Sequence, residues 1–184
     1  MSDKKKLELY IHIPFCERKC AYCDFLSMPA TLGVQRGYVE TLIDEIIKES
    51  AGVRDYEVSS IFIGGGTPSI LPGEYILGIL QAVGDYFDVG TDAEITIEIN
   101  PGTLDPHKLE CYREGGVNRV SLGLQSADDW ELRVLGRIHT YDDFLKSYQQ
   151  VRQAGFSNVN VDLMSALPGQ TLDSWERTLK KVLM

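Results

Sequence analysis

Val58-Ser59-Ser60-Ile61-Phe62-Ile63-Gly64-Gly65-Gly66-Thr67-Pro68 is the stretch on which the fold turns. Val58 to Ile63 has the length and apolar, β-branched character of a buried strand, and it runs straight into three glycines. Glycine accepts φ > 0, so the triplet suits a tight strand-to-helix turn; lacking a Cβ, it also lets backbone approach a ligand closely. Two phosphate loops are absent. A P-loop needs Lys and then Ser or Thr after its second glycine, and Thr67-Pro68 supplies neither pair. A dinucleotide fingerprint needs a further glycine where Ser69 stands.

Working outward, the same strand–turn–helix unit recurs. Leu7 to Ile13 reads as strand one, and Val39, Leu42, Ile43, Ile46 and Ile47 follow helical spacing up to Gly52. Ile76, Ile79, Leu80, Val83 and Phe87 mark a helix after the glycine turn, and Glu94 to Ile99 a third strand closed by Asn100-Pro101-Gly102. Asp105 caps the next helix with Pro106 in its first turn, and Gly115-Gly116 ends it. Arg119 to Leu124 is strand four. Ser126 with Asp129, and Thr140 with Asp143, resemble capping boxes. Asn158 to Met164 is strand five, and Thr171 opens a last helix carrying Leu172, Trp175, Leu179 and Val182. Five strands alternating with helices predict an α/β fold of parallel strands: a partial TIM-like barrel of about five βα units. The pattern stops at Lys181-Val182-Leu183-Met184 inside an amphipathic helix, which predicts a piece of a longer chain with strand five at an open sheet edge.

The unusual residues all follow strands. Cysteines follow strand one, Gly64 to Pro68 strand two and Gln125-Ser126 strand four, while Glu98 closes strand three and Asp162 stands late in strand five. In a parallel barrel these positions share the rim where active sites are built.

Three of the four cysteines, Cys16, Cys20 and Cys23, lie within eight residues, spaced C-x3-C-x2-C. Such a loop can hold three irons of a [4Fe-4S] cluster and leave the fourth iron open. Zinc, with His12 as a fourth ligand, is an alternative, and three free thiols are another. Cys111, on an outer helix, reads as a small buried hydrophobe.

Composition narrows the class. Hydrophobic residues at 43% and charged residues at 24% belong to a globular domain of 184 residues. With 18 Lys and Arg against 27 Asp and Glu, the net charge of -9 disfavours nucleic acid and anionic lipid as partners. No apolar run approaches a membrane span or a signal-peptide core, although Met1 to Lys6 is basic. The expected location is cytoplasmic.

Tyr10-Ile-His-Ile-Pro-Phe-Cys16, the cysteine loop with Tyr22 before Cys23, and Gly64-Gly-Gly-Thr-Pro68 resemble the radical S-adenosylmethionine (SAM) superfamily. Ser121-Leu-Gly-Leu-Gln-Ser126, Gly136-Arg-Ile-His139 and Asp162-Leu-Met…Leu167-Pro-Gly-Gln-Thr171 extend the match over nearly the whole chain. The set is similar to the group that contains oxygen-independent coproporphyrinogen III oxidase and the HemW-type haem chaperones. The oxidase branch adds a fourth cysteine two residues after the third, where Phe25 stands here, and a longer segment before strand one. Both departures resemble the chaperone branch.

The resemblance implies a [4Fe-4S] cluster on Cys16, Cys20 and Cys23, with SAM chelating the open iron and cleaved reductively to a 5′-deoxyadenosyl radical. It implies that Tyr10, Tyr22, Gly65, Gly66, Thr67, Glu98, Gln125, Arg137 and Asp162 bind SAM, Arg137 by a bidentate pair with its carboxylate. It further implies haem binding and transfer by the full-length protein, an electron donor and a haem acceptor protein; the alternative is coproporphyrinogen oxidation in porphyrin biosynthesis. A zinc-binding structural domain is a remote alternative. The family barrel has six strands and a C-terminal domain, so residues 1–184 are expected to be the N-terminal part of a radical SAM core without strand six.

Overall fold

The computed structural model describes residues 4–183; Met1–Asp3, half of the basic start, and Met184, the last residue of the final helical pattern, lie outside the described residues. Five strands, β1 (Lys5–Ile13), β2 (Tyr56–Gly65), β3 (Val89–Ile99), β4 (Arg119–Gln125) and β5 (Asn158–Leu163), form one sheet in chain order. Every pairing is parallel. Between and after them come α1 (Leu32–Ser50), α2 (Gly73–Tyr86), α3 (Pro106–Glu114), α4 (Asp129–Val134), α5 (Tyr141–Gln153) and α6 (Leu172–Leu183). A strand order that never reverses is that of a barrel wall rather than a doubly wound sheet, as the strand–helix alternation predicts.

The two faces of the wall follow from period-two alternation. Ile11, Ile13, Ile61, Ile63, Ile97, Leu122 and Leu124 form the buried core with the helices. Burying each such side chain stabilises the fold by about 1.5–3 kcal/mol. The opposite face is largely polar. One register row carries Tyr10, Phe62, Thr96 and Arg119, and the rows above it carry His12 beside Gly64, Glu98 beside Ser121, and Gly123 beside Asp162.

Two expected caps form. Asp105 accepts the Lys108 amide at 2.8 Å, and Thr140 and Asp143 make a reciprocal capping box on α5. The third does not. Asp128, not Ser126, caps α4, accepting the Trp130 amide at 2.8 Å. Ser126 is buried and donates at 2.6 Å to Glu131, whose carboxylate claims the hydroxyl.

That carboxylate also changes the reading of α6. Glu131, 1% exposed, accepts hydrogen bonds from Ser126 and Ser174 at 2.6 Å each and from Gln170 at 2.9 Å. The buried positions of α6 are therefore Ser174 and Thr178, while Leu172, assigned to its apolar face, is 86% exposed. A buried carboxylate needs several donors, and the helix is held by supplying them.

β5 pairs with β4 alone, and no sixth strand occurs among the described residues. None of their helices is long and apolar enough to cross a membrane. An unpaired parallel edge flanked by Val159 and Val161 invites pairing with another chain. Light scattering should show this 184-residue chain associating as its concentration rises. A monomer at every concentration would mean that the edge is protected.

Candidate functional site

A cavity of about 270 Å³ opens at the carboxyl ends of the strands. The loop after β1 gives it Cys16, Arg18, Lys19, Cys20, Tyr22, Cys23 and Phe25; the turn after β2 gives Gly65, Gly66 and Thr67. Glu98 enters from β3 and Asn100 from the turn after it, Ser121, Gly123 and Gln125 from β4, Arg137 from beyond α4 and Asp162 from β5. Of the residues expected to bind the cluster or SAM, only Tyr10 stands apart from this lining. It is 59% exposed on the inner face, stacked on Phe62 at 6.1 Å, with its hydroxyl 3.2 Å from His12 Nδ1.

The turn after β2 is locked against the cysteine loop. The amides of Gly66 and Thr67 donate to the carbonyls of Ile13 and Phe15 at 2.8 and 2.7 Å. A Cβ on Gly66 would lie 2.6 Å from the Phe15 carbonyl oxygen and 3.0 Å from Cys16 Sγ, so the chain passes there only as glycine. The Gly65 amide donates to Glu98 Oε2 at 3.2 Å. All three amides are thus spent inside the protein. Carbonyl oxygens are what the turn has left to offer, and these suit an ammonium group.

The cysteines are free thiols, Cys16 buried and Cys20 and Cys23 half-buried. Thr67 donates to Cys16 Sγ at 3.4 Å and Arg137 Nη1 to Cys20 Sγ at 3.8 Å. Arg18, Lys19 and Arg137 line the same cavity, facing the carboxylates of Glu98 and Asp162. His12 is not aimed at the cysteines. Its Nε2 donates to the Leu26 carbonyl at 3.0 Å, which leaves Nδ1 of the neutral ring to accept from Tyr10. Among the described residues, no three His, Cys, Asp or Glu side chains are gathered as ligands for one metal ion.

Arg137 owes its aim to the end of α4. Gly136 has φ 74°, its amide returns to Arg133 O and that of Arg137 to Leu132 O, the paired bonds of a Schellman turn. The guanidinium then faces inward. Nη2 donates to Gly123 O at 2.7 Å and Asn100 Oδ1 at 2.8 Å. With Nη1 on Cys20, two of its five donors remain, one of them Nε, which is buried without a partner. An orphaned charged donor in a cavity beside thiols is what a site for an anionic ligand group leaves behind. A bidentate grip on a carboxylate through Nη2 would first have to release Asn100 or Gly123.

Opposite, Asp162 accepts from Ser121 at 2.9 Å and from Asn160 at 2.6 Å. Burial pushes the Glu98 carboxyl above its ordinary range, the charge of Asp162 adds to this, and the Gly65 amide opposes it. Burial likewise raises the Tyr22 phenol against the pull of Arg137. Gln125 adopts φ 71°, a strained conformation for a side chain with a Cβ, at the register break where β4 enters the rim.

Behind Arg137, His139 is 5% exposed and donates from Nε2 to Leu124 O at 3.3 Å. Burial, with the nearby Arg137 charge, pulls its pKa down to about 4. An unfolded histidine takes its proton near 6.5, so between these values the unfolded chain binds more protons. The contribution of this residue to stability therefore falls as pH drops from about 7 to about 4, by roughly 3 kcal/mol. Urea unfolding at the two ends of that range should show a flatter acid limb in His139→Gln. An unchanged limb would mean that His139 is already charged in the folded protein.

The profile of the radical SAM superfamily matches residues 10–182. The chain belongs to the radical SAM superfamily. The radical SAM relatives of known name include heme chaperone HemW of Escherichia coli (strain K12), 41% identical over 168 residues that make up 91% of this chain and 44% of that protein. Heme chaperone HemW of Bacillus subtilis (strain 168) is 38% identical over 175 residues, 95% of this chain and 46% of that protein. The chain thus spans less than half the length of these relatives. Among solved structures, the radical SAM enzyme coproporphyrinogen III oxidase (HemN) from Escherichia coli superposes with a TM-score of 0.88 at 30% identity, covering 97% of this chain and 41% of that one. A [4Fe-4S] cluster and SAM are the cofactors this superfamily implies.

Sequence reasoning did not give Asn100, Arg18, Lys19 or Gly123 a role. Asn100 carried one signal: with Pro101 and Gly102 it closes β3, which places it at the rim.

Proposed function

We propose that this chain is the cofactor-binding part of a HemW-type haem chaperone. Cys16, Cys20 and Cys23 hold a [4Fe-4S] cluster, and the cavity beside them holds SAM. The observation that carries the cofactor reading is the convergence of the cysteine loop, four strand-end segments and Arg137, with its unpartnered Nε, on one cavity. Three thiolates and flanking cations suit an anionic cluster with one open iron. When bound, the cluster supplies one electron to the sulfonium of SAM. The chain's own residues do the rest. Carbonyls of the Gly65–Gly66 turn meet the amino group, the free donors of Arg137 take the carboxylate, and Glu98, Gln125 and Asp162 offer acceptors and an amide to the ribose. Tyr22 packs at the cavity wall.

Phe25 and the relatives favour the chaperone branch. Phe25 lines the cavity, and Phe25, Leu26 and Met28 are 64%, 72% and 51% exposed. Large apolar side chains left open beside a cavity mark a place where a ligand or partner docks, and a flat apolar macrocycle such as haem fits that rim. The HemN superposition supports the second reading, anaerobic oxidation of coproporphyrinogen III. Haem titration and a decarboxylation assay on the full-length reconstituted protein separate them. Stoichiometric haem binding without decarboxylation is the expected result, and turnover of coproporphyrinogen would select the oxidase.

A further inference from the structure

We infer that Thr67 and Asn100 form a directed hydrogen-bond relay from Arg137 to Cys16 that raises the reduction potential of the cluster. The inference rests on the cluster assignment proposed above.

The direction of the relay follows from its donors. A guanidinium only donates, so Asn100 must turn its Oδ1 to Arg137 Nη2, 2.8 Å away. That places Asn100 Nδ2 against Thr67 Oγ1, to which it donates at 2.8 Å. Having accepted one bond, the Thr67 hydroxyl points its own proton at Cys16 Sγ, 3.4 Å away. Thr67 and Cys16 are 4% and 9% exposed, so water does not compete for that sulfur. Asn100 is itself held, its amide donating to Ser69 Oγ at 3.1 Å. Arg137 also reaches Cys20 Sγ, so two of the three thiolates receive hydrogen bonds from one connected network.

A thiolate ligand carries part of the cluster's negative charge, and reduction adds to it. A donor fixed on the sulfur stabilises the more negative, reduced form, and the potential rises. Each link in the chain polarises the next. Thr67 thereby acts on the cluster through its hydroxyl, a different task from contacting SAM. Asn100 is the positioning residue that keeps the hydroxyl pointed at the sulfur.

The test is a redox titration of the reconstituted protein followed by EPR. Thr67→Val keeps the shape and removes the donor. It should shift the one-electron equilibrium about tenfold toward the oxidised cluster, which is about 59 mV lower. Thr67→Ser, which restores the donor, should titrate with wild type; a role in packing alone would not be rescued this way. Asn100→Ala should move the potential in the same direction by less, and it carries the test if Thr67→Val assembles no cluster. Potentials equal to wild type in the variants that assemble a cluster would overturn the relay and leave the cluster assignment standing. A wild-type protein that assembles no cluster would overturn the assignment and the relay together.

Discussion

Anaerobic reconstitution with iron and sulfide is expected to load wild-type and Cys111→Ser protein equally and to leave Cys20→Ser without a stable cluster. The contrast lies in where the two sulfurs sit. Cys20 faces the cavity, is touched by Arg137 and shares its loop with the other two thiols. Serine there offers a hard hydroxyl to an iron that prefers soft thiolate, and two remaining ligands do not hold a cube of four irons. Cys111 lies on α3, 4% exposed, close against Gly73 at the start of α2. Burial raises its thiol pKa, and the surrounding carboxylates of Glu74, Glu114, Glu110 and Asp105 add to the shift. It behaves as a small core side chain, so Cys111→Ser should cost a little stability and no iron. Equal loss of iron in both variants would remove the cysteine loop from its assigned role. The preparation must exclude air, because half-exposed thiols are open to oxidation.

The second large effect concerns Arg137. Replacing it with Met removes a charge-assisted pair at a half-buried position and should weaken SAM binding by about 1.5–3 kcal/mol, roughly 10- to 150-fold. Calorimetric titration of SAM into the reconstituted protein reads this directly. The geometry adds a second loss: Asn100 and Gly123 O both give up a donor. Asn100→Ala should therefore weaken SAM less than Arg137→Met, because the guanidinium keeps Gly123 O and Cys20. Wild-type affinity in Arg137→Met would reduce this residue to a surface charge.

Much of this molecule was legible because its signals are local. The first three wall strands hold apolar runs closed by Pro14, Gly64 and Asn100. The Asp105 and Thr140 caps need only a neighbour three residues away, and both form. The rim argument needed only the order of strands, and it gathers every expected site residue but Tyr10. Tyr10 fell outside because side chains alternate along β1: it shares the inner face with His12 one row lower, and that ring holds its hydroxyl. What stayed hidden depends on partners distant in sequence. Glu131 looks like an ordinary helix-surface carboxylate until Gln170 and Ser174 are folded onto it. Ser126 loses its capping role to the same group. Asn100 acquires meaning only when β2, β3 and the end of α4 bring Thr67 and Arg137 to its two ends.

The central claim is that this cysteine loop holds a cluster with one iron open to SAM. Protein reconstituted anaerobically with iron and sulfide, reduced, and recorded by EPR with and without SAM tests it most directly. The account predicts a [4Fe-4S] signal that changes shape when SAM is added, because SAM ligates the open iron. A cluster signal indifferent to SAM, or zinc retained in place of iron and sulfide, would contradict it.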